Sequence, residues 1–104
     1  NHKKIITLSS IIGSIGGNDQ GMMYAYRVSK AGVNAIMRSM AIDLKDKDIT
    51  CIPLHPGWVR TDMGGSSADI SVEESAHGIL STLETFPHAD SGSFLRWDGS
   101  IHPW

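Results

Sequence analysis

Two short apolar runs bracket one long helical pattern, and that arrangement leaves few folds open. Lys4-Ile5-Ile6-Thr7-Leu8-Ser9 and Ile49-Thr50-Cys51-Ile52-Pro53-Leu54 are apolar and β-branched, the pattern of strands buried in a sheet. Between them, from about Met22 to Lys45, Arg27, Asn34, Arg38 and Lys45 fall on one narrow stripe at helical spacing. Nearly everything else in that stretch is apolar or small. Strand, long helix, strand is a βαβ unit, with parallel strands and a right-handed crossover.

The remainder extends the same architecture. Ser71-Val72-Glu73-Glu74 is a capping box that opens a helix to about Thr85, which Pro87 and the loop through Gly92 bring to an end. Ser93-Phe94-Leu95-Arg96-Trp97 reads as a third strand, and Asp98-Gly99 as a turn into a tail ending at Trp104. No repeat or linker interrupts this β-α-β-α-β order, so an α/β fold is expected. The apolar arc of the first helix is wider than the roughly 100° needed to cover one sheet. A second face is therefore expected against another copy, in a homodimer or homotetramer built on the Tyr24–Lys45 helix, where Ala31, Gly32 and Ala35 permit close approach; the alternative is a helix wholly buried in a larger monomer.

Composition narrows the classes. A formal net charge of -2 with no basic patch argues against a nucleic-acid partner. The apolar runs are far shorter than a membrane span. A single cysteine, Cys51, forms no intramolecular disulfide, fits a reducing, cytoplasmic compartment, and reads as a small buried strand residue. His55, His77 and His88 lack metal-ligand spacing and read as structural or surface residues. The loop Ser10–Gly21 carries four glycines, but no Gly-Lys-Ser/Thr ending or G-x-G-x-x-G turn that would cradle a phosphate.

The chemistry concentrates near the start of the first helix. Tyr26 and Lys30, four positions apart, lie one turn apart on one face. A phenol with its ordinary pKa near ~10 is a poor acid at neutral pH, and a neighbouring ammonium favours the phenolate. A serine from the end of the preceding strand completes equipment for reducing a carbonyl or oxidising an alcohol. The pair alone is weak, because every helix offers such neighbours. A second loop, His55 to Ser67, leaves the carboxyl end of the other strand, where parallel sheets collect ligands. Within it Trp58 serves either to cover a substrate or to pack the loop, Met63-Gly64-Gly65 reads as the start of a mobile flap, and Asp62 as a local cap.

The ordered set Ile5-Ile6-Thr7-Leu8-Ser9-Ser10-x-x-Gly13, Tyr26-x-x-x-Lys30 and Pro56-Gly57-x-x-x-Thr61 resembles the short-chain dehydrogenase/reductase family over essentially the whole chain. Tyr24-Ala25-Tyr26-Arg27 and His55-Pro56-Gly57-Trp58-Val59-Arg60-Thr61-Asp62-Met63-Gly64-Gly65 look like the C-factor and sniffer type of carbonyl reductase. The resemblance implies that residues 1–104 form the C-terminal half of a Rossmann-type doubly wound parallel sheet. It implies that Ser10, rather than Ser9, polarises a substrate carbonyl. Tyr26 is then the general acid or base, and Lys30 assists it while bonding the nicotinamide ribose. Pro56, Gly57, Val59 and Thr61 hold the nicotinamide carboxamide, and Trp58, Met63 and Gly64 line the substrate. NADP(H) is implied in preference to NAD(H), with a small carbonyl or alcohol substrate.

Several family features are missing. The Ser10–Tyr26 interval is longer than the family's commonest spacing. The glycine-rich pyrophosphate turn, the residue that selects NAD or NADP, and the active-site asparagine do not occur. The N-terminal glycine-rich half of the domain is therefore expected to precede this segment, which alone should be inactive. A competing reading is a catalytically silent interaction or signalling module on the same fold; intact Ser10, Tyr26 and Lys30 favour the enzyme. A serine hydrolase using Lys30 as base lacks a G-x-S-x-G elbow and leaves Tyr26 without a role.

Overall fold

The computed structural model describes residues 3–104. Its main elements are β1 (Lys3–Leu8), α1 (Tyr24–Asp43), β2 (Ile49–His55), α2 (Val72–Thr85) and β3 (Leu95–Arg96), with single 3-10 turns at Ile11–Gly13, Lys45–Lys47 and His88–Asp90. The strands form one parallel sheet in the order β1-β2-β3, with Lys3 opposite Ile49 and Leu8 opposite Leu54. The expected β-α-β-α-β order is thus found.

Alternation along the strands sorts side chains to two faces. Cys51 packs with Met37 and Ala41 of α1, surrounded by Ile5, Val33, Met40, Leu44 and Ile49. Ile52 and Leu54 point the other way and pack with Leu95, against Ile6, Ile79, Leu83 and Phe86. The two helices therefore cover opposite faces of β2, as a doubly wound sheet requires. Ile52, Leu54 and Leu95 have no exposed surface, and burying each contributes about 1.5–3 kcal/mol.

Three expectations need correction. β1 stands at the edge of the three strands described, half-buried along its middle and exposed at Lys3 and Leu8, rather than buried. β3 is shorter than the expected Ser93–Trp97. Pro53 faces the same side of β2 as Cys51, which bonds Ser91 and Gly92, and it has no N–H to extend a ladder there. The first helix begins at Tyr24 rather than Met22, because Gly21, Met22 and Met23 all have positive φ (71°, 60° and 54°), and it ends at Asp43, two residues short of Lys45. Packing divides the polar stripe of α1, with Arg38 exposed and the two stripe residues before it engaged. Asn34 is buried and Arg27 turns onto the preceding loop, while Val28 (73% exposed), Ile36 (61%) and Ile42 (62%) face outward with Gly32 and Ala35. The capping box at Ser71 and Glu74 is formed as expected.

After β3, Gly99 (φ 90°) turns the chain back, and the tail runs antiparallel, with Ile101 bridged to Leu95. The tail then reaches the loop after β1. Ser14 Oγ donates to the Pro103 carbonyl at 2.6 Å, and the Gly16 N–H donates to that of Trp104 at 2.7 Å.

Candidate active site

The loops that leave the carboxyl ends of β1 and β2 lie side by side, because those strands are paired in parallel. Pairing runs one residue past β1, where the Ser9 N–H donates to the Leu54 carbonyl at 2.7 Å. Ser10 then caps the 3-10 turn. Its Oγ accepts from the Ile12 N–H at 3.1 Å and its carbonyl accepts from the Gly13 N–H at 2.9 Å. A hydroxyl held as an acceptor this way keeps its hydrogen available for another oxygen.

Gly13 explains the spacing of Ser10-x-x-Gly13. A Cβ at that position would stand 2.7 Å from Lys30 Cβ and 2.8 Å from the Lys30 carbonyl carbon. Only a glycine lets the serine turn rest directly on the helix turn that carries Lys30. On that helix the Lys30 ammonium sits 5.7 Å from the centre of the Tyr26 ring. Both side chains are partly exposed. Among the described residues neither the Tyr26 hydroxyl nor the Lys30 ammonium has a hydrogen-bond partner. The structure thus brings Tyr26 and Lys30 together and seats the Ser10 turn against the same helix.

Three further residues brace this arrangement, and none stood out as part of the site in the sequence. Arg27 donates from Nη1 to the Ile12 carbonyl (3.0 Å), from Nη2 to the Gly21 carbonyl (2.7 Å), and from Nε to the Met22 carbonyl (2.8 Å). Those bonds hold the left-handed Gly21-Met22-Met23 entry to α1, a conformation that disfavours ordinary side chains. Asn34, one turn beyond Lys30, accepts at Oδ1 from Ser9 Oγ at 2.7 Å, while its Nδ2 is buried with no partner among the described residues. His55, at the end of β2, accepts at Nδ1 from the Ile11 N–H at 3.2 Å. Burial first, then the charges of Arg96 and His102, lower the His55 pKa to about 4, so the imidazole is neutral with its proton on Nε2. The expectation of a structural histidine holds there. His88 is likewise engaged, its Nδ1 2.8 Å from Thr50 Oγ1.

The loop after β2 begins with Pro56, whose carbonyl accepts from Ser75 Oγ at 2.6 Å. Gly57 has φ 92°, and a Cβ there would meet Ile70 Cδ1 at 2.5 Å and Trp97 Cδ1 at 3.0 Å. Val59 is bridged to Ile70. Thr61 Oγ1 accepts from the Gly64 N–H at 3.1 Å, and the Trp58 indole N–H donates to the Gly64 carbonyl at 3.0 Å. Trp58 therefore fastens the loop while its ring stays 51% exposed, and Met63 at the tip is 86% exposed. Arg60 donates to the Ala68 carbonyl and lies 3.7 Å from Glu74 of α2. No group of potential metal ligands, and no helix long and apolar enough to cross a membrane, occurs among the described residues.

A parallel sheet with helices on both faces, and a Tyr-x-x-x-Lys pair beside a serine turn at the carboxyl strand ends, defines a Rossmann-type α/β protein. The family profile described as enoyl-(acyl carrier protein) reductase matches residues 1–84. The chain belongs to the short-chain dehydrogenase/reductase family. It is 38% identical over 102 residues to the C-signal protein of Myxococcus xanthus, covering 98% of this chain and 61% of that one. Among solved structures, the carbonyl reductase Sniffer of D. melanogaster is 48% identical with a TM-score of 0.94, covering 97% of this chain and 41% of that one. The NADPH-bound carbonyl reductase from chicken fatty liver is 40% identical with a TM-score of 0.89, covering 97% and 42%. The chain thus spans less than two thirds of the length of each of these relatives.

Proposed function

We propose that the protein carrying this chain is an NADP(H)-dependent oxidoreductase that reduces a small carbonyl compound to an alcohol, with Ser10, Tyr26 and Lys30 as its catalytic groups. The observation that carries this reading is the uncommitted Tyr26 phenol and Lys30 ammonium on one helix face, with the Ser10 turn seated on that face through Gly13. The choice of NADP(H) leans on the NADPH-bound chicken reductase.

The residues present fit the nicotinamide end of such a cofactor. Pro56, Gly57, Val59 and Thr61 lie on the loop at the carboxyl end of β2 and are assigned to the carboxamide, and Gly57 seats that loop against Ile70 and Trp97, where a Cβ has no room. Lys30 is free to bond the ribose. When bound, the cofactor supplies or accepts the hydride. The chain's own part is positioning and proton transfer. Ser10 Oγ–H donates to the substrate oxygen and polarises the carbonyl. Tyr26 passes its phenolic proton to that oxygen, and the Lys30 cation stabilises the phenolate left behind. Alcohol oxidation runs the same transfers in reverse. Trp58, Met63 and Gly64 form the loop under which the substrate lies.

A full-length Tyr26→Phe protein should lose about 10² or more in turnover while still binding NADPH. Lys30→Met should lose turnover too, and should shift the activity–pH profile to higher pH. Near-normal carbonyl reduction by Tyr26→Phe would sink the reading and favour the alternative of a catalytically silent interaction or signalling module, the class that the name of the M. xanthus relative suggests.

A further inference from the structure

The serine turn has a support that the Ser-Tyr-Lys scheme does not use. On the side facing β1, the β2 ladder ends where the Leu54 carbonyl accepts from Ser9 N–H. The next backbone donor along the turn that can reach β2 is the N–H of Ile11, and there a side chain replaces the ladder. His55 Nδ1 accepts it at 3.2 Å. His55 is buried, 7% exposed, and directly precedes Pro56-Gly57. It therefore ties the residue after Ser10 to the residue before the cofactor loop.

We infer that His55 is a positioning residue for Ser10, fixing the serine turn relative to the Pro56-Gly57 loop through the Ile11 amide. This rests on the catalytic reading of Ser10 given above. The ring must act as an acceptor, so it must stay neutral. Arg96 of β3 and His102 of the tail are the charged or titratable groups that act on it, and both oppose its protonation. The edge contact of Phe94 with the His102 ring, 5.6 Å between centroids, holds one of those groups in place. The Ile12 N–H is taken by Ser10 Oγ and the Gly13 N–H by the Ser10 carbonyl, so the two amides that follow Ile11 are committed within the turn. Ser9 is fixed from the other side by Asn34. The backbone on both sides of Ser10 is held, and among the described residues the His55 bond references it to the cofactor loop.

The test uses the full-length protein. In His55→Asn, Oδ1 takes the place of Nδ1; in His55→Gln the acceptor lies one bond too far out. Each is measured in the Ser10 and the Ser10→Ala backgrounds, for turnover in NADPH-dependent carbonyl reduction and for NADPH binding by fluorescence titration. We expect His55→Gln to lower turnover about tenfold with NADPH affinity within about twofold of wild type. His55→Asn should recover most of the rate. In the Ser10→Ala background His55→Gln should cost less than about twofold, because the group it positions is gone. His55→Leu supplies the same loss of acceptor if the glutamine protein does not fold. Equal rates for the Asn and Gln proteins would overturn the inference. So would a tenfold loss that persists without Ser10, while a damaged Ser10→Ala leaves the serine's own role intact. A Ser10→Ala protein with the wild-type rate would instead remove the serine's role, and the inference with it.

Discussion

Adding one methyl group at Gly13 tests whether the serine turn is registered by its contact with α1. The new Cβ would lie 2.7 Å from Lys30 Cβ, 2.8 Å from the Lys30 carbonyl carbon and 2.9 Å from Ala31 N. Ordinary carbon contacts lie at about 3.5–4.0 Å, so the turn must retreat by roughly 1 Å. Two of the three opposing atoms are helix backbone and cannot swing aside as a side chain would. Overpacking of this kind costs about 1–3 kcal/mol of stability. The larger effect should be on rate, because a misplacement of about 1 Å costs about 10²-fold. Gly16→Ala is the control: it lies in the same loop, and an added Cβ there meets only ordinary contacts, 3.6 Å from the Trp104 carbonyl oxygen and 3.7 Å from Pro103 Cβ. It should leave the rate unchanged and stabilise by about 0.4–1 kcal/mol through the unfolded chain. Urea denaturation and NADPH-dependent carbonyl reduction on the full-length variants measure both effects. A Gly13→Ala protein with wild-type turnover and stability would refute the claim that this contact sets the position of Ser10.

Two other outcomes follow from named groups. His55 titrates at about 4 in the fold against about 6.5 for free imidazole, so its contribution is complete above about pH 6.5 and is lost as pH falls toward 4. That window is worth on the order of 3 kcal/mol, and denaturation at pH 7 and pH 4.5 should show a shallower acid loss in His55→Asn; an unchanged slope would count against the assignment. The exposed apolar stripe Val28, Gly32, Ala35 and Ile36 on α1 is proposed as a helix-to-helix contact in a homodimer or homotetramer, so Ile36→Glu should reduce the mass measured by light scattering. A wild-type full-length monomer at micromolar concentration would contradict that.

Much of the fold was legible in order and period. Cys51 and Ile52 are adjacent apolar residues of a short β-branched run, and their alternation sends one to α1 and the other to the α2 side. The Tyr26–Lys30 pair was readable because a helix brings residues four apart together whatever surrounds it. The Ser71–Glu74 box was readable for the same local reason. Where a competing local term acted, the reading slipped. Three consecutive left-handed residues delay α1 to Tyr24.

The polar residues of the site were decided by the tertiary structure. Asn34 falls on the polar stripe of its helix, and it is buried where Ser9, 25 positions earlier, offers its hydroxyl. His55 finds its donor 44 positions away at Ile11, and Ser14 finds the tail 89 positions away at Pro103. Nothing within a helical turn or a strand repeat of these residues announces those partners. Apolar periodicity is set by neighbours along the chain, and so it is written locally. A polar group is tolerated inside only when packing brings a partner to it, and that partner is chosen by how the elements close on one another. The sequence by itself thus determined the strands, the helices and the Tyr26–Lys30 pair. The supports of Ser10 exist only once β1, β2 and α1 have come together.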